Sequence, residues 1–494
     1  MPETLPSKVA TGVAGLDDIL AGGLPRGRLY LVEGDPGTGK TTLGLQFLLE
    51  GVRRGERTLY ITLTETADEL RAVAESHGWA LDGISLCEVR PNGVSGTPEA
   101  DYTILHPGEL ELGEITKTIA EEVKRVRPAR AVLDSVTEIR LLARDALRHR
   151  RQVLYLKQLF DELQCTVMVL DDLSAQHGDL QLQSISHGAL RLEHRAGDYG
   201  IGHRRLRVIK LRGVAYREGF HDFRIATGGI IIFPRLVAAE HETSFQPGQV
   251  VSGVPELDAI LGGGLDRGSA TLIMGPAGAG KSLLATHYAV GAAHRGERAA
   301  VYLFEEGSQS FIARAGGLAM NPHEYIKRNL LTIRQIDPVE LTPSEFVHRV
   351  RESVERDHAR VVVIDSLNGY LAAMPDEHAL ALNLRELIRH LSQQGVLTLL
   401  VVAEHGLTGG GLKPPVDVSY LADTVLVLRY FEAGGELRRA VAVVKRRNGP
   451  HERTVHELRI GPGITVGRPL TEFEGVLAGI VSRAPLPPKD TDGA

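Results

Sequence analysis

The sequence predicts an α/β protein in which a mainly parallel sheet, flanked by helices, is built twice. Three observations carry this. First, short apolar runs alternate with charged amphipathic stretches: RLYLVEG (28–34), TLYITLT (58–64), AVLDSV (131–136) and TVMVLDD (166–172). A strand buried on both faces needs such a run, and a return to a parallel neighbour needs a helix. Second, residues 12–57 and 253–298 correspond without a gap, since Lys281 − Lys40 and Glu306 − Glu65 are both 241. DSV (134–136) then answers DSL (365–367), and VIKLRG (208–213) answers VVKRRN (443–448). A repeat of this length is a duplicated domain, not a solenoid unit. Third, the 55 glycines suit many tight strand-to-helix turns.

The elements follow in order. RLYLVEG reads as a buried strand, followed by a Gly-rich loop and the helix TTLGLQFLLEGVRRG (41–55). TLYITLT is the next strand. The amphipathic ITKTIAEEVKRVR (115–127) precedes the strand at 131–136, and RRQVLYLKQLFDEL (150–163) precedes the strand at 166–172. The boundary falls within LVAAEHETSFQPG (236–248), after the strand-like IIIF (230–233). The expected domains are 1–240 and 247–483, and the Pro-rich, polar 484–494 reads as a disordered tail.

Composition narrows the function classes. The formal charge is −6, against a protein that coats nucleic acid, which needs a basic footprint. The hydrophobic fraction of 43% and charged fraction of 24% are those of a globular chain. The two cysteines, Cys87 and Cys165, build no disulfide framework, and a reducing cytoplasm is expected. No apolar run reaches the ~18–20 residues of a membrane span, and Met1-Pro2-Glu3-Thr4 lacks the basic start of a secretory signal. The 19 histidines include no H-E-x-x-H pattern, so none is expected to bind metal.

Two segments carry chemistry. Gly34-Asp35-Pro36-Gly37-Thr38-Gly39-Lys40-Thr41, with Thr42 following, matches the phosphate-loop pattern G-x-x-x-x-G-K-[ST]. Gly275-Pro276-Ala277-Gly278-Ala279-Gly280-Lys281-Ser282, with Leu283 following, matches it again. Glycines let backbone N–H groups curl around phosphates, and the helix that follows presents its positive end. Lys40 and Lys281 are expected to reach the β- and γ-phosphates of ATP, and Thr41 and Ser282 to ligate Mg²⁺. Asp134 and Asp365 close apolar strands and are the acidic partners for that ion. Glu65 and Glu306, at the end of the strand after the first helix, are candidate bases for water, with Glu305 as an extra base. Asp171-Asp172 reads either as a γ-phosphate sensor or as a helix cap. Lys210 and Arg212, like Lys445 and Arg447, alternate onto one face of a late strand. Each pair reads as a solvated face or as a finger reaching a neighbouring subunit's γ-phosphate.

At this point TGVAGLDDILAGGLPRGRLYLVEGDPGTGKTT, TLTETADEL, LDSVTEI and VIKLRG, repeated in tandem, resemble the KaiC-like ATPases from about Gly12 to about Gly479. The resemblance implies two tandem RecA-like P-loop NTPase domains, each a mainly parallel sheet flanked by helices. It further implies a homohexameric double ring with ATP at subunit interfaces, slow hydrolysis in the first domain, and autokinase chemistry in the second. KaiB-like or other signalling proteins are the implied partners, in a clock-like role. The family's phosphorylated Ser falls on Ser419 and its Thr on Tyr420, with a further Thr near Pro414. Thr64 stands where the family's first domain carries a second Glu, and Lys445-Arg446-Arg447-Asn448 replaces K-x-R-G.

Two other classes compete. A RecA-like DNA-dependent ATPase would use the basic runs Leu147-Arg148-His149-Arg150-Arg151 and His203-Arg204-Arg205-Leu206-Arg207, which lack aromatic partners in sequence for base stacking. A non-catalytic, ATP-gated scaffold would tolerate loss of Glu65 or Glu306.

Overall fold

The computed structural model describes residues 7–89, 107–143, 145–173, 180–195, 202–241, 243–318, 320–371, 377–404, 419–479 and 481–483. The chain divides between Arg235 and Leu236 into two compact units. Residues 236–241 therefore pack with the second unit. The tail 484–494 and Pro414 lie outside the described residues.

The first unit is built on β1 (Leu29–Gly34), β2 (Thr58–Thr62), β3 (Ile84–Glu88), β4 (Arg130–Asp134), β5 (Thr166–Asp172), β6 (Gly188–Arg195), β7 (His203–Leu211), β8 (His221–Ala226) and β9 (Gly229–Phe233). Their order across the sheet is β3-β2-β4-β5-β1-β6-β7-β8-β9. Strands β3 to β6 in that order run parallel, and the remaining three are antiparallel. The second unit has β10 (Ala270–Gly275), β11 (Arg298–Leu303), β12 (Leu331–Gln335), β13 (Ala359–Asp365), β14 (Leu397–Ala403), β15 (Thr424–Ala433), β16 (Glu436–Arg446), β17 (His456–Ile460) and β18 (Ile464–Pro469). Their order, β12-β11-β13-β14-β10-β15-β16-β17-β18, is the same topology strand for strand. The duplication read from the sequence is thus a duplication of fold, two RecA-like domains in tandem.

Alternation along the central strand explains the layers. Tyr30 and Val32 of β1 pack with Leu43 and Phe47 of α1 (Lys40–Arg53) on one face. Leu29 and Leu31 point the other way, into a core shared with α3 (Pro107–Val126), α4 (Val136–Ala143) and α5 (Ala146–Glu162), α2 (Ala67–Ser76) lying earlier in the chain. In the second unit Ile273 meets α6 (Lys281–His294), after which α7 (Ser308–Gly317) follows β11. Leu272 and Met274 meet α8 (Pro343–Glu355) and α9 (Glu377–Gln393). The duplicated lead-in before each phosphate loop is tied down by an aspartate. Asp17 Oδ1 accepts the Thr11 N–H at 2.9 Å, and Asp258 Oδ1 accepts the Ser252 N–H at 2.8 Å. No helix among the described residues is long and apolar enough to cross a membrane.

Candidate active sites at two phosphate loops

In the first unit β1 ends at Gly34 and α1 begins at Lys40. Gly39, between them, has φ 99°, and a Cβ there would lie 2.7 Å from Ile225 Cδ1, so only glycine turns the chain here. Lys40 Nζ donates to the carbonyls of Gly34 (2.7 Å) and Asp35 (3.1 Å) and pairs with Asp172 Oδ1 at 2.6 Å. Sheet register explains this last partner, since Gly34 lies opposite Asp172. Asp171, its neighbour, turns to the other face, accepting from Thr137 Oγ1 (2.8 Å) and Arg140 Nη2 (3.2 Å). Thr38 Oγ1 donates to the Asp35 carbonyl at 2.8 Å, and Thr42 Oγ1 lies 3.4 Å from His77 Nε2.

Thr41 Oγ1 donates to Asp134 Oδ2 at 3.2 Å, which joins the phosphate loop to the end of β4. The Tyr60 hydroxyl donates to the same oxygen at 2.6 Å. Burial pushes the Asp134 carboxyl above its ordinary range, against the pull of Tyr60, Thr41 and Lys40. Glu65 lies in the turn after β2, with its N–H bonded to Thr62 Oγ1 at 3.0 Å. Its pKa is raised by burial, then by the Asp134 and Glu69 charges. Its Oε2 is buried and has no hydrogen-bond partner among the described residues, leaving a carboxylate oxygen available to accept a proton.

The second site repeats the frame with different polar partners. Gly278 and Gly280 have φ 74° and 106°, and Lys281 Nζ donates to the Pro276 carbonyl at 2.8 Å. Ala279 and Leu283 are buried in the core. The Ser282 hydroxyl bonds Asp365, whose pKa burial also raises. Burial lowers the Lys281 pKa, opposed by Asp365, Glu404 and Glu305. Glu305 Oε1 accepts from Ser366 Oγ at 2.6 Å, next to Asp365. Glu306 is held from both sides by Arg314, Nε to Oε1 at 3.1 Å and Nη2 to Oε2 at 2.7 Å. Over the loop, the Tyr430 hydroxyl reaches the Ala277 carbonyl at 3.3 Å and Arg439 Nε the Gly278 carbonyl at 3.4 Å.

The basic pairs lie at the other end of each sheet. Lys210 sits opposite Ala189, whereas Gly34 sits opposite Leu192. That is three residues along β6, about 10 Å. Lys210 Nζ turns further away, to the Ser186 carbonyl at 2.8 Å, and Arg212 Nη2 to that of Ser184 at 2.8 Å. Lys445 Nζ likewise donates to the carbonyls of Ser419 (3.0 Å) and Ala422 (2.8 Å), while Arg447 Nη1 pairs with Asp423 at 2.9 Å. Ser419 and Tyr420 therefore share the end of the sheet with Lys445.

The basic run at 203–207 is engaged internally. Arg205 pairs with Glu193 at 2.9 Å, and Arg205 and Arg207 lie over the Phe220 ring at 4.1 and 5.2 Å. In the run at 147–151, His149 is buried and Arg150 Nη1 bonds Ser184 Oγ at 3.2 Å. Sequence reasoning missed Tyr60, Arg314, Ser366, Tyr430 and Arg439. Only Arg314 had a usable signal, a cation eight positions after Glu306.

Two strand–loop–helix phosphate cradles, each with a strand-end aspartate nearby and a glutamate just past the adjacent strand, define a tandem P-loop ATPase. The family model described as "ATPase: KaiC" matches residues 9–237 and again 250–470. The chain belongs to that family. It is 28% identical over 480 residues to "Circadian clock protein KaiC3" of Synechocystis sp., covering 96% of this chain and 94% of the relative. It is 27% identical over 495 residues to "Circadian clock oscillator protein KaiC" of Synechococcus elongatus, covering 97% and 92%.

Proposed function

We propose that this chain hydrolyses ATP with Mg²⁺ in both units, at subunit interfaces of a cytoplasmic homohexameric double ring, and transfers a phosphoryl group to Ser419 of a neighbouring copy. Its output would be clock-like signalling through a KaiB-like or other protein partner. The observation that carries this reading is the separation of each Lys/Arg pair from its own phosphate loop. A cation held about 10 Å from the loop of its own unit is placed to act in trans, as a finger on a loop presented by another copy.

Thr41 with Asp134, and Ser282 with Asp365, are hard oxygen donors suited to Mg²⁺. That ion would neutralise charge on the β- and γ-phosphates. In the first unit Lys40 exchanges Asp172 for the phosphates, and Glu65 takes the proton of the attacking water. Lys210 and Arg212 of the neighbour stabilise the charge on the transferring group. In the second unit Lys281 binds phosphate and Glu306 serves water once Arg314 releases it. Glu305 takes the proton from Ser419 Oγ as that oxygen bonds to the γ-phosphorus and the bond to ADP breaks. Catalysis is then largely positioning and charge stabilisation.

Mass spectrometry after incubation with ATP and Mg²⁺ tests the transfer. The expected phosphate is on Ser419, and it disappears in Glu305→Gln. When Lys281→Ala is mixed with Ser419→Ala, the label should appear on the Lys281→Ala chain. Phosphate release with no modified residue removes the kinase part of the proposal. Unchanged ATP affinity and hexamer yield in Lys40→Ala/Lys281→Ala would remove the rest.

A further inference from the structure

One polar cluster in the second unit is not used by the ATP chemistry. His241 ends a short 3-10 helix (Ala238–His241), Glu355 ends α8, and His390 lies on α9. One ligand atom from each of the three falls within 4.8 Å of the others. Glu355 Oε1 is the shared corner, 3.4 Å from His390 Nε2 and 3.9 Å from His241 Nδ1. The His390 side chain is fully buried, yet neither of its ring nitrogens has a hydrogen-bond partner among the described residues. A buried imidazole with both nitrogens unsatisfied is costly and calls for a ligand.

We propose that His241, Glu355 and His390 form a site for one divalent transition-metal ion of the Zn²⁺ class, which clamps the start of the second unit onto α8 and α9. Two imidazoles and a carboxylate, with water in a fourth position, are a donor set that such an ion takes, whereas Mg²⁺ and Ca²⁺ prefer all-oxygen shells. Burial drives the His390 pKa down to about 4, so the ring is neutral near pH 7, its liganding form. Arg351 donates to both Glu355 oxygens at 3.2 Å and orients the carboxylate as an outer partner does in metal sites. His241 and Glu355 are 27% and 36% exposed, which gives the ion an entry path. Bonds of about 2.0–2.1 Å require ligand atoms roughly 3.3 Å apart, so His241 must swing inward by about 1–1.5 Å. The segment is already positioned for this. Glu386 Oε2 accepts the Ala238 N–H at 3.1 Å, Gln394 Nε2 donates to the His241 carbonyl at 3.0 Å, and Thr243 Oγ1 to that of Gln393 at 3.0 Å.

The test uses the untagged full chain, stripped with a chelator and held in excess Mg²⁺ to fill oxygen sites. Co²⁺ is titrated and its visible bands followed, then displaced with Zn²⁺. The expected result is one Co²⁺ per chain with tetrahedral bands that Zn²⁺ removes. His241→Ala and Glu355→Gln should each weaken binding at least tenfold, and should remove any rise in melting temperature that Zn²⁺ produces. Both side chains are partly exposed, so these variants should fold; circular dichroism checks this. Absence of tetrahedral bands, or bands and affinity unchanged in His241→Ala/Glu355→Gln, overturns the proposal.

Discussion

Burial sets the behaviour of the acidic residues. Asp134 and Asp365 have folded pKa values above the ordinary one, so the folded chain holds their protons more tightly than the unfolded chain. Their destabilising effect is absent below the unfolded pKa of about 4 and grows as pH rises through the raised folded value. Asp134→Asn should therefore raise the melting temperature of the nucleotide-free protein at pH 7 by about 2–4 °C per kcal/mol of relief. The gain should shrink as pH approaches 4. The same variant should lower first-unit phosphate release by roughly two orders of magnitude. A melting curve and a phosphate assay on one preparation check both. Glu65, also raised, should give hydrolysis in a Lys281→Ala background an acid limb above the ordinary glutamate value of about 4.3. Glu65→Gln should cost roughly 10²–10⁴-fold and flatten that limb. Lys40, Thr41 and Asp134 were legible in the sequence because their spacing is local to one motif or one strand end. Tyr60 was not: its bond to Asp134 crosses from β2 to the adjacent β4.

Between elements, the two units differ beneath the phosphate loops. In β1 the buried Glu33 accepts from Arg191 Nε at 2.6 Å and from Gln183 Nε2 at 3.0 Å. Glu33 lies opposite Arg191 across β1 and β6, and the corresponding pair in β10 and β15 is Met274 opposite Val427. One fold thus carries a polar link in its first copy and an apolar one in its second. Arg191→Val should destabilise the first unit by about 2–3 kcal/mol, less than a fully buried pair because Arg191 is 23% exposed. Adding Glu33→Met, which copies the second unit, should recover most of that loss, as read by denaturant unfolding. Periodicity revealed the strands here, but a glutamate within an apolar run carries no sign of its partner about 160 residues away.

For the whole molecule, the proposed assembly makes a complementation prediction. Lys210→Ala/Arg212→Ala should keep ATP affinity and lose roughly 10³-fold in first-unit hydrolysis. Lys40→Ala should lose nucleotide at that loop. With both chains in a Lys281→Ala background, which silences the second unit, mixing them should restore first-unit activity, because intact loops then meet intact fingers. A mixture no more active than its components would place the fingers on their own loops and refute the shared site. Native mass spectrometry with ATP reports the assembly in the same samples.

The duplicated α/β architecture, the two phosphate loops and the strand-end aspartates are readable from the amino-acid order alone. These are written in contiguous residues, through strand and helix periodicity and through loop glycines whose backbone conformation no other residue adopts readily. Which partner each charge meets emerges only on folding: Asp172 for Lys40, Tyr60 for Asp134, Arg314 for Glu306, and Glu355 with His241 and His390. Folding also puts Lys445 beside the Ser419 main chain, three residues along the sheet from the start of the second loop. Such pairings depend on strand order, register and helix packing, which bring distant segments to one place, and short-range sequence patterns do not encode those distances.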